Sequence, residues 1–146
     1  MAVTTTRYGR VGGHFAAGDV IWTSHTIKVV LTTSSYTADF DAHEFYSSIT
    51  NELTTANGYT AGGATLGTKT TTYISADDQT ALKAANTVWT PGAGETLTAR
   101  YAAVFRDTGT ASTSPLILLV DFGANLSATG AAFTIDWNDT GGVLKI

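Results

Sequence analysis

Apolar and polar positions alternate most regularly in Thr96–Arg106. There Leu97, Ala99, Tyr101, Ala103 and Phe105 are apolar, while Thr96, Thr98, Arg100 and Arg106 are polar. Ala102 and Val104 are the exceptions. The period of two predicts a strand buried on one face. Turn-forming residues fill positions 107–114, and Pro115 opens the unbroken apolar run 116–120, the pattern of a strand in the middle of a structure. Residues 131–137 alternate again, with Phe133, Ile135 and Trp137 against Thr134 and Asp136. Together Leu97, Tyr101, Phe105, Leu116, Leu118, Val120, Phe133, Ile135 and Trp137 are expected to share one core.

Elsewhere the pattern predicts strands at 26–32, 49–53, 65–75, 82–89 and 143–146, with a short helix at 77–85 as the competing reading of that region. Residues 39–48 are the best helical candidate. Asp39 or Asp41 can cap the start, and Glu44 stands three residues after Asp41 in the capping-box position. Residues 14–19 allow one more helical turn. About seven short strands spaced by turns predict a mainly β fold: an antiparallel β-sandwich or small barrel with one or two short helices. A single domain is expected over residues 14–146. Residues 1–13 lack apolar periodicity and are expected to form an extended arm, hinged at Gly12-Gly13.

Composition narrows the function classes. At 146 residues the chain is long enough for one core. It has no cysteine, which removes disulfides, thiol nucleophiles and cysteine metal sites. Only 14% of residues are charged, against roughly 25% in typical soluble domains. Threonine takes up much of the difference, and its branched, hydroxylated side chain suits the wet face of a sheet. The net charge of −4 argues against a nucleic-acid partner. No apolar run approaches the ~20 residues of a membrane helix, and no secretion signal is visible, so no membrane partner is expected.

Candidate chemistry is sparse. Asp-Thr-Gly, the triplet of aspartic proteases, occurs at 107–109 and 139–141, but Arg106 and Asn138 stand where an apolar strand should run into the aspartate. Hairpin turns use the same residues. Asp39, Asp41, His43 and Glu44 gather four possible metal ligands, yet Ser47 stands where a zincin would need its second histidine, and helix capping accounts for the aspartates. His14 and His25 have no partner at ligand spacing. The glycine-rich stretch 62–67 lacks the Lys-Ser/Thr of a phosphate loop. Asn125 and Asn138 match glycosylation sequons that carry little weight without a secretion signal. Trp22, Trp89 and Trp137 lie in or beside apolar segments, as core residues do, with Trp89 the one candidate for a sugar-stacking platform. No catalytic residue, no metal site and no cofactor is expected. Arg7, Tyr8 and Arg10 stand out instead. Half of the chain's arginines flank a tyrosine in an otherwise unanchored arm, and these residue types are enriched at interface hot spots. They are the candidate partner-interface residues.

Several runs resemble a family of small structural proteins of tailed bacteriophages, especially those infecting actinobacteria. The runs are Thr26-Ile-Lys-Val-Val-Leu31 with Ser34-Ser-Tyr36, Gly58-Tyr-Thr-Ala-Gly-Gly-Ala-Thr-Leu66 and Thr98-Ala-Arg-Tyr-Ala102. Asp107-Thr-Gly-Thr110, Ser114-Pro-Leu-Ile117 and Asp121-Phe-Gly123 complete the set. They span roughly residues 14 to 146, with the arm unmatched. The resemblance implies a virion component without enzymatic activity, a head decoration or minor capsid protein made in the host cytoplasm and carried on the capsid exterior. Its implied partner is the major capsid protein. Capsid geometry, with its local threefold positions, adds self-association as a homotrimer. The alternative is a tail or fibre module that binds a host-surface glycan. A peptidase or cell-wall hydrolase would need a convergent carboxylate pair or a histidine-based site, and none is readable.

Overall fold

In the computed structural model the described residues are 3–137 and 142–146. In chain order the strands are β1 (Thr4–Arg7), β2 (Ile27–Thr32), β3 (Ala64–Thr65), β4 (Thr70–Ile74), β5 (Gln79–Lys83), β6 (Thr87–Trp89), β7 (Thr96–Arg106), β8 (Leu116–Thr129), β9 (Phe133–Ile135) and β10 (Leu144–Lys145). One helix, α1, covers Val11–Ala17. The main sheet has the order β1-β8-β7-β2-β3, and two smaller sheets pair β10-β5-β4 and β6-β9. Every pairing is antiparallel. The mainly β, sandwich-like architecture expected from the alternation is the one observed.

The single core expected from the pattern is two cores, one on each face of the main sheet. The larger joins Val29, Leu31, Val104, Leu118 and Val120 of that sheet to Leu82, Trp89, Ile135 and Leu144 of the smaller sheets and to Trp137, just beyond β9. The second gathers Tyr8, Val30, Tyr36, Phe105, Leu116 and Leu119, with Phe40, Tyr46, Ile49 and Tyr101 packed against it. Tyr101, Phe105 and Leu116 therefore pack away from Leu97, Leu118 and Trp137.

Two register shifts are the cause: one between Val104 and Phe105, whose partners jump from Leu118 to Leu116 and so turn Leu116 to the other face, and a larger one at Arg100. Ala99 pairs with Leu126 but Tyr101 pairs with Asp121, so Arg100 stands opposite the four residues 122–125. Such an irregularity reverses which residues point to which face. Leu97 and Ala99 face the larger core before the shift; Ala102 and Val104 face it afterwards. The two positions that broke the sequence alternation are thus core residues.

Residues 39–48 do not form the expected helix. Asp39 does cap a turn, its Oδ1 accepting from the N–H groups of Asp41 (3.1 Å) and Ala42 (2.9 Å). After that turn the backbone is captured by the start of β8: Leu116 N–H donates to the Glu44 carbonyl and Tyr46 N–H to the Ser114 carbonyl. Phe45 is accordingly extended, and only a 3₁₀ turn follows at Tyr46–Ser48. Residues 49–53 contribute one bridge, Thr32 to Glu52, rather than a strand. The loop running from Tyr36 to Ile49 roofs the second core. Beside it, Gly63 has φ +75, and a Cβ there would lie 2.1 Å from the Val29 carbonyl oxygen, so only glycine fits.

The amino-terminal segment is part of the domain, contrary to the expected free arm. Four residues of it pair with β8, from Thr4 opposite Asp121 to Arg7 opposite Leu118. Tyr8 follows into the second core and is only 1% exposed. α1 begins at Val11 and runs through the glycines taken for a hinge. One large buried ring at the end of a short strand anchors the segment. That is too little repetition to register as a periodic pattern.

Candidate partner-binding edge

β1 is one of the two outer strands of the main sheet, and all four of its residues are exposed. Its backbone is polarised. Tyr8 N–H donates to the Ile117 carbonyl at 3.1 Å, so the alternate residues Thr6 and Thr4 also turn their backbone groups toward β8. Thr5 and Arg7 therefore direct N–H and C=O outward, away from the sheet. Exposed edges of this kind pair readily with another chain unless they are covered. The side chains divide between the faces. Thr4 and Thr6 lie on the side of the second core. Thr5 and Arg7 border a cleft of about 510 Å³ whose opposite wall is residues 142–145. That wall includes β10, itself an outer strand of its sheet.

The three candidate interface residues separate in space. The Arg7 side chain lies at the rim of the cleft and has no ion-pair partner among the described residues. Arg10 is exposed, with Nε 3.5 Å from Glu44 Oε2. Tyr8 is an anchor instead of a contact residue. Its hydroxyl bonds that of Tyr36 at 2.9 Å, and Tyr36 in turn reaches His43 Nδ1 at 3.0 Å. Burial, then the Tyr36 hydroxyl, push the ionisation of Tyr8 far above the ordinary tyrosine range. Arg10 belongs to a charge cluster that ties α1 to the 39–45 loop. Within it His14 lies between two carboxylates, Nδ1 2.9 Å from Asp19 and Nε2 3.2 Å from Glu44.

The remaining candidates resolve into structural roles. Asp107 accepts from Gly109 N–H at 2.8 Å and pairs with Lys28 Nζ at 2.8 Å, a hairpin turn locked to β2. The lysine first, then the N–H, hold its carboxyl below the usual range. The second Asp-Thr-Gly triplet and Asn138 lie outside the described residues. Asp39, His43 and Glu44 point to different partners, and among the described residues no three His, Cys, Asp or Glu side chains gather as metal ligands. His25 Nδ1 accepts from Ile21 N–H at 3.0 Å within a turn. The Gly62 N–H donates to Glu52 and offers nothing to a phosphate. Trp89 is only 5% exposed and lies between the Tyr59 and Phe133 rings, which removes it as a sugar platform.

Two polar centres were not visible in the sequence. Glu52 accepts hydrogen bonds from the Tyr46 hydroxyl, from the Tyr59 hydroxyl at 2.7 Å and from Gly62 N–H at 2.6 Å, joining the two cores at one edge. Burial and this carboxylate raise the ionisation of both tyrosines well above its ordinary value. At the register shift, Arg100 Nε and its terminal nitrogen grip Asp121 at 2.9 and 3.1 Å. Nothing in the spacing of Glu52, Tyr46 and Tyr59 announces the first centre. Opposite charges on consecutive strands are the one signal that could have found the second. No family model, no curated protein and no solved structure matches the chain.

Proposed function

We propose that the chain is a non-enzymatic structural protein of a tailed-phage virion, a decoration protein that docks on the exterior of the capsid shell through β1. The observation that carries this reading is the exposed outer strand Thr4–Arg7, with outward backbone groups at Thr5 and Arg7 and, beside them, the Arg7 guanidinium, which has no ion-pair partner among the described residues. The runs that resemble phage structural proteins support it from the sequence side. They fall in β2, in the loop leading into β3, in β7 and the turn after it, and at the entry to and middle of β8. The partner is the major capsid protein, contributing an extended segment that pairs with β1 and an acidic side chain for Arg7. A homotrimer, placed at local threefold positions, gives one small domain several simultaneous contacts.

The test uses empty shells of the major capsid protein encoded with this chain. Thr5→Pro removes an outward N–H without touching the ladder to β8, and proline is tolerated at such an edge. Combined with Arg7→Glu, it should weaken shell binding by about tenfold or more, equivalent to about 1.4 kcal/mol, with an unchanged melting temperature. Unchanged binding would refute docking through β1. A few copies per particle on gel densitometry, in place of hundreds, would move the protein from the head to the tail.

A further inference from the structure

The other side of β1 borders a second recess, of about 310 Å³, at the lower end of the roughly 300–1,000 Å³ typical of ligand pockets. We infer that this recess binds a neutral pyranose ring. Besides Tyr36 and Tyr101, its lining includes the aliphatic hydroxyl residues Thr4, Thr6, Ser34 and Thr37, all four exposed. Among the described residues none of these hydroxyls is used in a hydrogen bond within the chain, so each is free to donate and to accept.

The acceptor in the recess is the Asp121 carboxylate. Its Oδ1 takes hydrogen bonds from Arg100 Nε at 2.9 Å and Gly123 N–H at 2.7 Å, while Oδ2 takes one from Arg100 at 3.1 Å. Its orientation is therefore fixed before any ligand arrives. These three bonds use three of the roughly four acceptor sites of a carboxylate, so Asp121, a lining residue of the recess, keeps one on Oδ2. Tyr101 and Leu119 supply the apolar part. The tyrosine ring is held by Arg100, 5.2 Å from its centroid, and by the edge of Tyr36 at 6.1 Å.

Charge selects the ligand class. The one lining carboxylate is already neutralised by Arg100, and the guanidinium is committed to it. Among the described lining residues an anion finds no uncommitted cation, and a cation finds no unpaired carboxylate. A molecule with many hydroxyls and an apolar C–H face satisfies the open donors and acceptors and covers the ring at once. The inference does not depend on capsid docking, which uses the outward edge of β1; of the lining residues only Thr6 borders both recesses.

The experiment is a ¹H–¹⁵N correlation titration of the full chain with methyl glycosides of glucose, galactose and mannose, and with maltotetraose. Shifts are expected at residues 4–6, 34–37 and 119–121. Thr6→Val with Thr37→Val, both at exposed positions, should weaken the interaction about tenfold while leaving the rest of the spectrum in place. Tighter binding of maltotetraose than of the single rings would identify a polysaccharide as the source; equal binding would identify a free sugar. No shift with any of the four probes, shifts confined to other surfaces, or unchanged affinity in the double variant would overturn the inference.

Discussion

The two faces of the main sheet are built differently. The larger core is closed by regular strands and is aliphatic and tryptophan-rich; two of its three indole donors have partners, Trp22 the Lys83 carbonyl and Trp137 the Thr87 hydroxyl. The second core is closed by a loop and held by aromatic rings with polar ends: Tyr8, Tyr36 and Tyr46, the last stacked on Phe105 at 4.3 Å. Strands cover a face by repetition. A loop must cover it residue by residue, and tyrosine suits that task because its ring packs while its hydroxyl finds a partner. One face therefore depends on volume, and the other on a hydrogen-bond chain.

Substitutions should separate the two. Trp137→Ala in the larger core should cost about 3–5 kcal/mol, lowering the melting temperature by on the order of 10 °C. Tyr8→Phe keeps the ring and removes one hydroxyl from the Tyr8–Tyr36–His43 chain, so a loss of about 1 kcal/mol is expected by chemical denaturation. An equal or larger loss for Tyr8→Phe than for Trp137→Ala would dissolve the distinction.

Alkaline pH should sharpen it. The ionisations of Tyr8, Tyr36, Tyr46 and Tyr59 are all raised in the folded state, with burial the leading cause. Their contribution is complete below the unfolded tyrosine pKa of about 10 and declines as the pH rises above it. Tyr8→Phe should make that decline shallower, whereas Trp137→Ala should leave its slope unchanged. The smallest effect is expected at the surface. Asp107 has a lowered pKa, so its contribution is present above about pH 4 and fades as the pH falls through the folded value. Asp107→Asn should flatten that acid limb slightly and cost less than about 1 kcal/mol at neutral pH.

The same contrast explains what the sequence disclosed. β2 and β7 were legible nearly to the residue, because β-branched and apolar positions repeat there. The far half of β8, residues 123–129, was not. It carries small residues, and its burial alternates only weakly. Assigning the faces of β7 failed at Arg100, since no periodicity foretells a register shift. The capping signal at Asp39 was real, but tertiary pairing of Glu44 and Tyr46 with residues 114–116 overrode it within a turn. Among the candidate interface residues, Arg7 and Arg10 are on the surface. Tyr8 is inside, because a lone aromatic beside arginines carries no mark that distinguishes an anchor from a hot spot.

The uncovered edge of β1 is the centre of the functional proposal, and a cryo-EM reconstruction of shells decorated with the full chain tests it most directly. The expected map shows a capsid segment running antiparallel to β1, with backbone hydrogen bonds to Thr5 and Arg7 and an acidic side chain at the Arg7 guanidinium. Decorated shells in which β1 faces solvent, with the domain attached by another surface, would contradict the proposal.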